Sequence, residues 1–288
     1  MAVEQLKLDT LPRDVALMDP REGLSEGLHR PPGRWLAKQL VHTRVTPIHI
    51  TIMAGIVGVL AGILLAAGAH DPSLCVVGGV ALILSCMLDC ADGELARARK
   101  RYSLVGMMLD GLTDNVVGTA VFLALAYNVV VYTGNPWMWF LGIAAGLSAA
   151  AHVWVFDAKK KQYLQCLGLA HPEEIQPVSA LREQQLQARQ SGEGLEAFLL
   201  GAYIFFRRTQ KLGVSAAVAP DPLRFWQDNH RKMRNWTYMG SSTHFFILYV
   251  AAIFSPFWPA AFLACVLAYA VVMNLIFAAL LFDNWKTA

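Results

Sequence analysis

Apolar and polar stretches alternate along most of this chain at the length scale of membrane-crossing helices. Six apolar runs follow one another, at about residues 47–68, 72–100, 103–131, 136–156, 240–257 and 258–282. A helix needs about 20 predominantly apolar residues to cross the hydrocarbon core of a bilayer. Because backbone groups in lipid must satisfy one another, helices are the natural form for such runs. The pattern predicts an all-α, polytopic membrane protein with six transmembrane helices.

The stretch before the first crossing carries a different helical pattern. In residues 28–44, Trp35 and several leucines alternate with Arg30 and Arg34. This arrangement is typical of an amphipathic helix that lies in the membrane interface. The polar residues 1–26 before it contain no apolar core of the signal-peptide kind, so we expect a cytoplasmic tail.

The connection between the fourth and fifth predicted crossings is long and mixed in character. Residues 157–238 include the apolar run 195–206, which is too short to cross a bilayer, and the basic amphipathic stretch 222–236. We expect a cytoplasmic insertion of interfacial helices. The predicted divisions are a tail and interfacial helix at 1–45, crossings 1–4 at 46–156, the insertion at 157–238 and crossings 5–6 at 239–288.

Lysine and arginine are unevenly distributed among the connections. They concentrate in residues 28–44, 97–101 and 158–236. The connections in between, at residues 69–72, 132–136 and 255–259, contain no lysine or arginine. By the positive-inside rule, both termini, the 97–101 turn and the insertion face the cytoplasm.

Composition agrees with this picture and excludes other classes. The chain is 56% hydrophobic and 16% charged, with a mean hydropathy of +0.42, which is too apolar for an ordinary soluble domain. A net charge of +3 is too small to suggest nucleic-acid binding. The five cysteines form no CxxC pair, so we interpret them as packing residues.

One stretch of the chain combines this apolar character with acidic residues. Asp89 and Asp92 end the second apolar run, and Asp110 and Asp114 lie within the third. Ionisable groups at the edge of a membrane span are costly, so four together require a compensating partner. A divalent cation is the simplest one.

The helical spacing of the four aspartates supports a shared site. Asp89 and Asp92 fall on one narrow helix face, and Asp110 and Asp114 are separated by one turn on the next helix. The two pairs could therefore face each other across a helical hairpin. Carboxylate oxygens are hard ligands that suit Mg²⁺ or Mn²⁺, and both ions favour phosphate-bearing substrates.

The full spacing resembles the motif of the CDP-alcohol phosphatidyltransferase family. Residues 89–114 read D-x2-D-G-x2-A-R-x8-G-x3-D-x3-D without a gap. The resemblance implies two Mg²⁺ or Mn²⁺ ions. It also implies that Asp89, Asp92, Asp110 and Asp114 ligate these ions, and that Asp114 is the catalytic base that takes the proton of the acceptor alcohol.

The same resemblance implies a set of substrate-binding residues. Gly93 and Ala96 would line the cytidine pocket, Arg97 would pair with the diphosphate, and Ser103 would bond the donor. Thr51 matches part of a Pro-Asn-x-x-Thr element in which Ile48 stands where asparagine is expected. One nucleotide contact is therefore lost unless His49 replaces it.

The function implied is transfer of a phosphatidyl group from a CDP-linked donor, such as CDP-diacylglycerol, to an alcohol acceptor, with release of CMP. Membrane lipids would be partners, nucleic acid would not, and we expect a homodimer. Two alternatives within the family stay open: a choline or ethanolamine phosphotransferase acting on diacylglycerol, and a synthase of a soluble inositol-phosphate ester.

Two other classes also place carboxylates in membrane helices. An intramembrane prenyltransferase uses paired aspartate motifs, but these motifs are far apart in sequence and lie on about nine helices. A cation carrier would place its carboxylates near the middle of the bilayer. Neither class gives a role to Gly93, Ala96 and Arg97.

Overall fold

The described part of the protein is helical throughout. The structure is a computed structural model that describes Pro20 and residues 22–99, 104–169, 177–210 and 218–282. Within these residues no strand is formed, which confirms the predicted all-α class.

Ten helices make up the described residues. A π-helical turn at Ser25–His29 leads into α1 (Arg30–Leu40), which is followed by α2 (Pro47–Ala67), α3 (Pro72–Arg99), α4 (Leu104–Thr133) and α5 (Met138–Cys166). Next come α6 (Val178–Gln190), α7 (Gly194–Gln210) and α8 (Pro222–Trp236), then a 3₁₀ turn at Thr237–Met239, α9 (Ser241–Phe254) and α10 (Ala261–Phe282), which is π-helical at Ala268–Met273.

Five of the described helices are long and apolar enough to cross a membrane, namely α2, α3, α4, α5 and α10. The chain is therefore an integral membrane protein with several crossings. The predicted fifth crossing at residues 240–257 differs, because α9 has only 14 residues and extends about 21 Å at 1.5 Å per residue. Six crossings result only if Pro222–Met239 and Ser241–Phe254 count together as one broken crossing.

Contacts divide the chain into two compact units. The larger unit comprises Gly23–His152 and Ser241–Ala278, and the smaller comprises Val153–Gly240 with the residues before Gly23 and after Ala278. All four motif aspartates belong to the larger unit.

Glycines on one face of α2 bring it close to α4. A Cβ on Gly58 would lie 2.5 Å from a methyl carbon of Val117, and a Cβ on Gly62 would lie 2.8 Å from that of Ala120. Only glycine permits so close an approach of the two helices. α4, which carries Asp110 and Asp114, therefore packs on α2, as α3 does.

The small-residue ridge of α5 packs inside the protein. A Cβ on Gly142 would lie 2.3 Å from the Cβ of Ala126, and one on Gly146 would lie 3.2 Å from that of Phe122. Both glycines therefore contact α4, as expected where small residues let two membrane helices approach.

α1 packs on α3 directly beside the aspartates. The backbone of α3 at Ala91 would lie 3.1 Å from a Cβ on Gly33, and Ala37 joins a buried cluster with Ile50, Leu88 and Leu95. Trp35 on the opposite face is 64% exposed. The amphipathic pattern thus predicted the helix, whose most buried positions are Gly33 and Ala37.

The smaller unit contains its own packed helices. Leu181 of α6 and Leu199 of α7 are both buried, and the two helices form a hairpin. Asp221 caps α8 by accepting a hydrogen bond from the backbone N–H of Arg224. Both predicted helical stretches of the insertion are therefore helices.

Candidate metal and substrate site

Three of the four motif aspartates converge at one point between α3 and α4. Ligand oxygens of Asp89, Asp92 and Asp110 all lie within 4.8 Å of one another. Asp89 and Asp92 are one turn apart on α3, and α4 presents Asp110 to them. Asp92 is 7% exposed, so the cluster is largely withdrawn from solvent.

A hydrogen bond from α2 holds one of these carboxylates. The Thr51 hydroxyl donates to Asp92 Oδ2 at 2.5 Å, and the same hydroxyl lies 3.2 Å from the backbone oxygen of Pro47. Thr51 is itself buried. Its hydroxyl is therefore directed at a carboxylate of the cluster, and its expected contact with the substrate stays a prediction.

The cluster has no ion-pair partner among the described residues, although Arg30 and Arg97 lie close enough to Asp89 and Asp92 to attract them. Among the described residues, no lysine or arginine forms an ion pair with Asp89, Asp92 or Asp110. Oδ1 of Asp110 is buried and has no hydrogen-bond partner there. Three such carboxylates repel one another unless a cation joins them. The donor set, which consists of hard oxygens with one orphaned atom, fits a divalent cation such as Mg²⁺ or Mn²⁺.

Asp114 lies near the cluster but outside it. It lines a small polar cavity together with Asp89, whereas the close group of carboxylates contains only the other three. The structure thus brings together three of the four predicted ligands and places the fourth beside a cavity.

The predicted nucleotide face of α3 is open at the glycine. A Cβ on Gly93 would meet only the guanidinium of Arg97, at 3.4 Å. Ala96, one turn from Asp92, is half-buried. Ser103 lies outside the described residues. Close helix packing therefore does not require glycine at this position, and the nucleotide contact of Gly93 stays a prediction.

Arg97 is engaged by a carboxylate that the motif does not specify. Glu94 Oε1 lies 3.1 Å from Arg97 Nη2, 3.5 Å from Arg30 Nη1 and 3.4 Å from Arg34 Nε. Both arginines of α1 also pair with Glu26, and these contacts raise the pKa of Arg34. The network ties α1 to the motif helix. Sequence reasoning missed it, because spacing within α3 carries no information about α1.

Two further polar residues near the site have structural roles. Arg99 donates to the backbone oxygens of Leu40, Val41 and Val45, and so holds the end of α1 and the start of α2. His49 forms a reciprocal capping box with Thr46 at the start of α2. It is therefore engaged as a cap and does not take the place of the missing asparagine.

The polar cavity beside Asp89 and Asp114 has a volume of about 20 Å³. Its other polar lining residues are His29, Ser85, Cys90, Thr113, Ser241 and Ser242. His29 comes from the π-helical turn before α1 and is 1% exposed, and burial lowers the pKa of its imidazole. No sequence signal pointed to His29.

An apolar groove of about 560 Å³ runs along α2 and α4. Its lining consists mainly of Ile52, Ile56, Leu60, Ile63, Leu112 and Val116. Thr113 lines this groove and also the polar cavity. The groove and the cavity therefore share a wall.

The intramembrane histidines form a separate polar cluster in the larger unit. Asn274 Oδ1 accepts a hydrogen bond from the Ser148 hydroxyl at 2.9 Å and lies 3.2 Å from His152 Nε2. The His152 ring stacks on that of His244. These residues join α5, α9 and α10 through hydrogen bonds and ring stacking.

Comparison with known proteins agrees with the motif. Residues 44–170 match the family model described as CDP-alcohol phosphatidyltransferase. A phosphatidylinositol phosphate synthase of Mycobacteroides abscessus is 35% identical over 92 residues, which cover 32% of this chain and 40% of that protein.

Two further relatives match over similar stretches. A CDP-diacylglycerol–inositol 3-phosphatidyltransferase of Drosophila melanogaster is 33% identical over 81 residues, 28% of this chain and 34% of that protein. A bifunctional IPC transferase and DIPP synthase of Aquifex aeolicus is 31% identical over 106 residues, 37% of this chain and 23% of that protein. The chain thus matches less than half the length of each relative, and the resemblance found in the motif is confirmed.

Proposed function

We propose that this chain, whose residues 44–170 belong to the CDP-alcohol phosphatidyltransferase family, is a membrane enzyme that transfers a substituted phosphoryl group from a CDP-linked donor to an alcohol and releases CMP. The observation that carries the proposal is the group of three close carboxylates, none of which forms an ion pair with a described lysine or arginine.

Asp89, Asp92 and Asp110 would hold two Mg²⁺ or Mn²⁺ ions, with Asp114 as a further ligand. Bound metal would neutralise the charge on the diphosphate oxygens. The Thr51 hydroxyl donates a hydrogen bond to Asp92. A carboxylate that binds a metal needs a second group to orient it, and we assign this role to Thr51.

The chain's own residues account for the rest of the transfer step. Asp114 accepts the proton of the attacking hydroxyl, since it lines a polar cavity together with Asp89. Gly93 and Ala96 leave room for the cytidine, and Arg97 pairs with the diphosphate in exchange for Glu94. Ser103 is proposed to bond the donor.

The donor is proposed to be CDP-diacylglycerol. The apolar groove along α2 and α4 shares Thr113 with the wall of the polar cavity beside Asp114, so the acyl chains of a lipid donor can lie in the groove next to the site. Two of the relatives carry names for transfer to inositol or inositol phosphate, which supports a polyol or its phosphate as acceptor.

The active site is proposed to face the cytoplasm, where water-soluble acceptors are available, because the basic connections lie on that side. We also propose that two chains assemble into a homodimer.

The decisive experiment uses purified chain in detergent with Mn²⁺ and measures CMP release. CDP-diacylglycerol and CDP-choline are offered in turn, with inositol, inositol phosphate, glycerol phosphate and diacylglycerol as acceptors. We expect CMP and a lipid phosphodiester from CDP-diacylglycerol. Product from CDP-choline and diacylglycerol would instead assign a choline phosphotransferase, and full-rate CMP release after EDTA treatment would contradict the metal site.

A further inference from the structure

The polar cavity beside Asp89 and Asp114 is small enough to select what enters it. Its volume is about 20 Å³, and a cavity needs about 10–15 Å³ to hold one water molecule. A single water or a single hydroxyl group therefore fits, whereas a whole sugar does not. Its polar lining supplies the partners that a bound water requires.

His29 forms the wall of this cavity contributed by the π-helical turn before α1. Its Nδ1 is buried and has no hydrogen-bond partner among the described residues. Its Nε2 lies 3.4 Å from the hydroxyl of Tyr249, and the two rings meet edge to face. The residue is thus anchored on one side, and its ring forms part of the cavity wall.

A buried histidine with one free nitrogen costs stability unless something bonds it. π-Helical turns are rare and often occur at functional sites. The π-helical turn places His29 in the cavity wall, and both observations favour a functional role for this residue.

We propose that the cavity accepts water in place of the alcohol, so that the chain also hydrolyses its CDP-linked donor slowly, and that His29 limits this reaction by filling the cavity wall. The inference rests on the proposed transferase function and adds a second activity at the same site.

The hydrolytic step balances in the same way as transfer. The water oxygen forms a bond to the phosphorus of the donor's non-cytidyl phosphate, and the bond from that phosphorus to the oxygen of the CMP phosphate breaks. One water proton goes to Asp114 and then to solvent. The products are CMP and a phosphomonoester, instead of CMP and a phosphodiester.

The imidazole leaves room for about one oxygen atom next to Asp114. Replacing it with alanine removes the whole ring and opens the cavity to further water. Glutamine retains most of the volume and the hydrogen-bonding capacity of histidine, so it should preserve the preference for the alcohol over water.

The experiment measures monoester and diester products within one reaction, using purified chain, Mn²⁺, CDP-diacylglycerol and the acceptor found in the CMP-release assay. The ratio of the two products does not depend on how much of a variant is folded. His29→Ala and His29→Gln are compared with His152→Ala, which removes a histidine that is equally buried but does not line the cavity.

We expect the unmodified chain to form monoester when the alcohol is omitted, at a rate well below that of transfer. His29→Ala should raise the monoester-to-diester ratio about tenfold, equivalent to about 1.4 kcal/mol between the two transition states. His29→Gln and His152→Ala should leave the ratio within about twofold of the unmodified chain.

The possible failures are distinguishable. Transfer without any monoester, in both the unmodified chain and His29→Ala, would overturn the hydrolytic activity while the transferase stands. An equal rise of the ratio in His152→Ala would overturn the role of His29. Absence of both products would overturn the proposed function itself.

Discussion

α3 carries the carboxylate of Glu94 within five residues of those of Asp89 and Asp92, and the surroundings of Glu94 are opposite to those of the two aspartates. Glu94 is contacted by three guanidinium groups, from Arg30, Arg34 and Arg97. Asp89 and Asp92, one turn earlier, have no such partner among the described residues and are joined instead by a third carboxylate from α4.

Arginine side chains are present close to the aspartates. The absence of ion pairs at the aspartates therefore does not result from a lack of cations nearby. Arg30 and Arg34 of α1 and Arg97 of α3 all form ion pairs with Glu94 and, among the described residues, none with the aspartates. A structural network neutralises its charges through ion pairs, whereas the aspartate cluster brings three carboxylates together without an ion pair among the described residues. The difference separates a carboxylate that holds helices together from carboxylates that await a ligand.

The largest effect should come from removing a charge on the unpaired side. Asp89→Asn, Asp92→Asn and Asp110→Asn each delete an anionic ligand with little change in size. Metal stabilisation of transferring phosphate is worth several kcal/mol, so CMP release should fall by at least about 100-fold.

Glu94→Gln is the matched control on the same helix. It removes one charge from the paired side and should retain CMP release within about tenfold, because exposed and half-exposed ion pairs contribute about 1 kcal/mol or less. Equal losses in Glu94→Gln and Asp92→Asn would abolish the distinction between the two sets.

A smaller effect is expected from Thr51→Val, which removes the hydrogen bond to Asp92 and keeps the shape of the side chain. Loss of a group that orients a metal ligand typically reduces metal affinity about 10- to 100-fold. The rise of the unfolding temperature with Mn²⁺ concentration measures that affinity without any turnover.

Thr119→Val serves as the comparison, because Thr119 donates only to the Asn115 backbone oxygen of its own helix. Its Mn²⁺ titration should coincide with that of the unmodified chain. If Thr51→Val behaved like Thr119→Val, the Thr51 hydroxyl would have no part in metal binding.

The smallest effect should come from Gly93→Ala. Its added methyl group would touch only the Arg97 guanidinium, and alanine favours a helix over glycine by about 0.8–1.0 kcal/mol. Folding should therefore be maintained, while affinity for CMP, measured by competition with the donor, should fall about tenfold.

Gly111→Ala on α4 provides the reference, since a Cβ there would meet nothing within 4 Å. CMP should bind that variant normally. Unchanged CMP affinity in Gly93→Ala as well would remove the nucleotide from this face of α3.

Local pattern was sufficient for much of the architecture. Apolar runs predicted α2, α3, α4, α5 and α10, because a bilayer sets the length of a helix directly. The amphipathic pattern at residues 28–44 predicted α1 but not that Gly33 and Ala37 would be its most buried residues. The periodicity of α3 also put Asp89 and Asp92 side by side, since residues three apart share a helix face.

Local pattern did not show where a helix is interrupted. α9 ends at Phe254 and has only 14 residues, although the apolar run predicted a crossing at 240–257. Hydropathy registers apolar residues and not whether they belong to one helix, so a broken crossing and a continuous one look alike in sequence.

The sequence by itself determined the chemistry of the site: hard oxygen ligands, a small residue between them and an arginine nearby, in a register that resembles one enzyme family. Only the tertiary structure decided which groups meet. The glycine stripe of α2 brings α4 to α3, the Thr51 hydroxyl reaches Asp92, and the turn before α1 delivers His29 to the cavity. These contacts join residues that are distant in the chain, and helical periodicity relates only residues within the same helix.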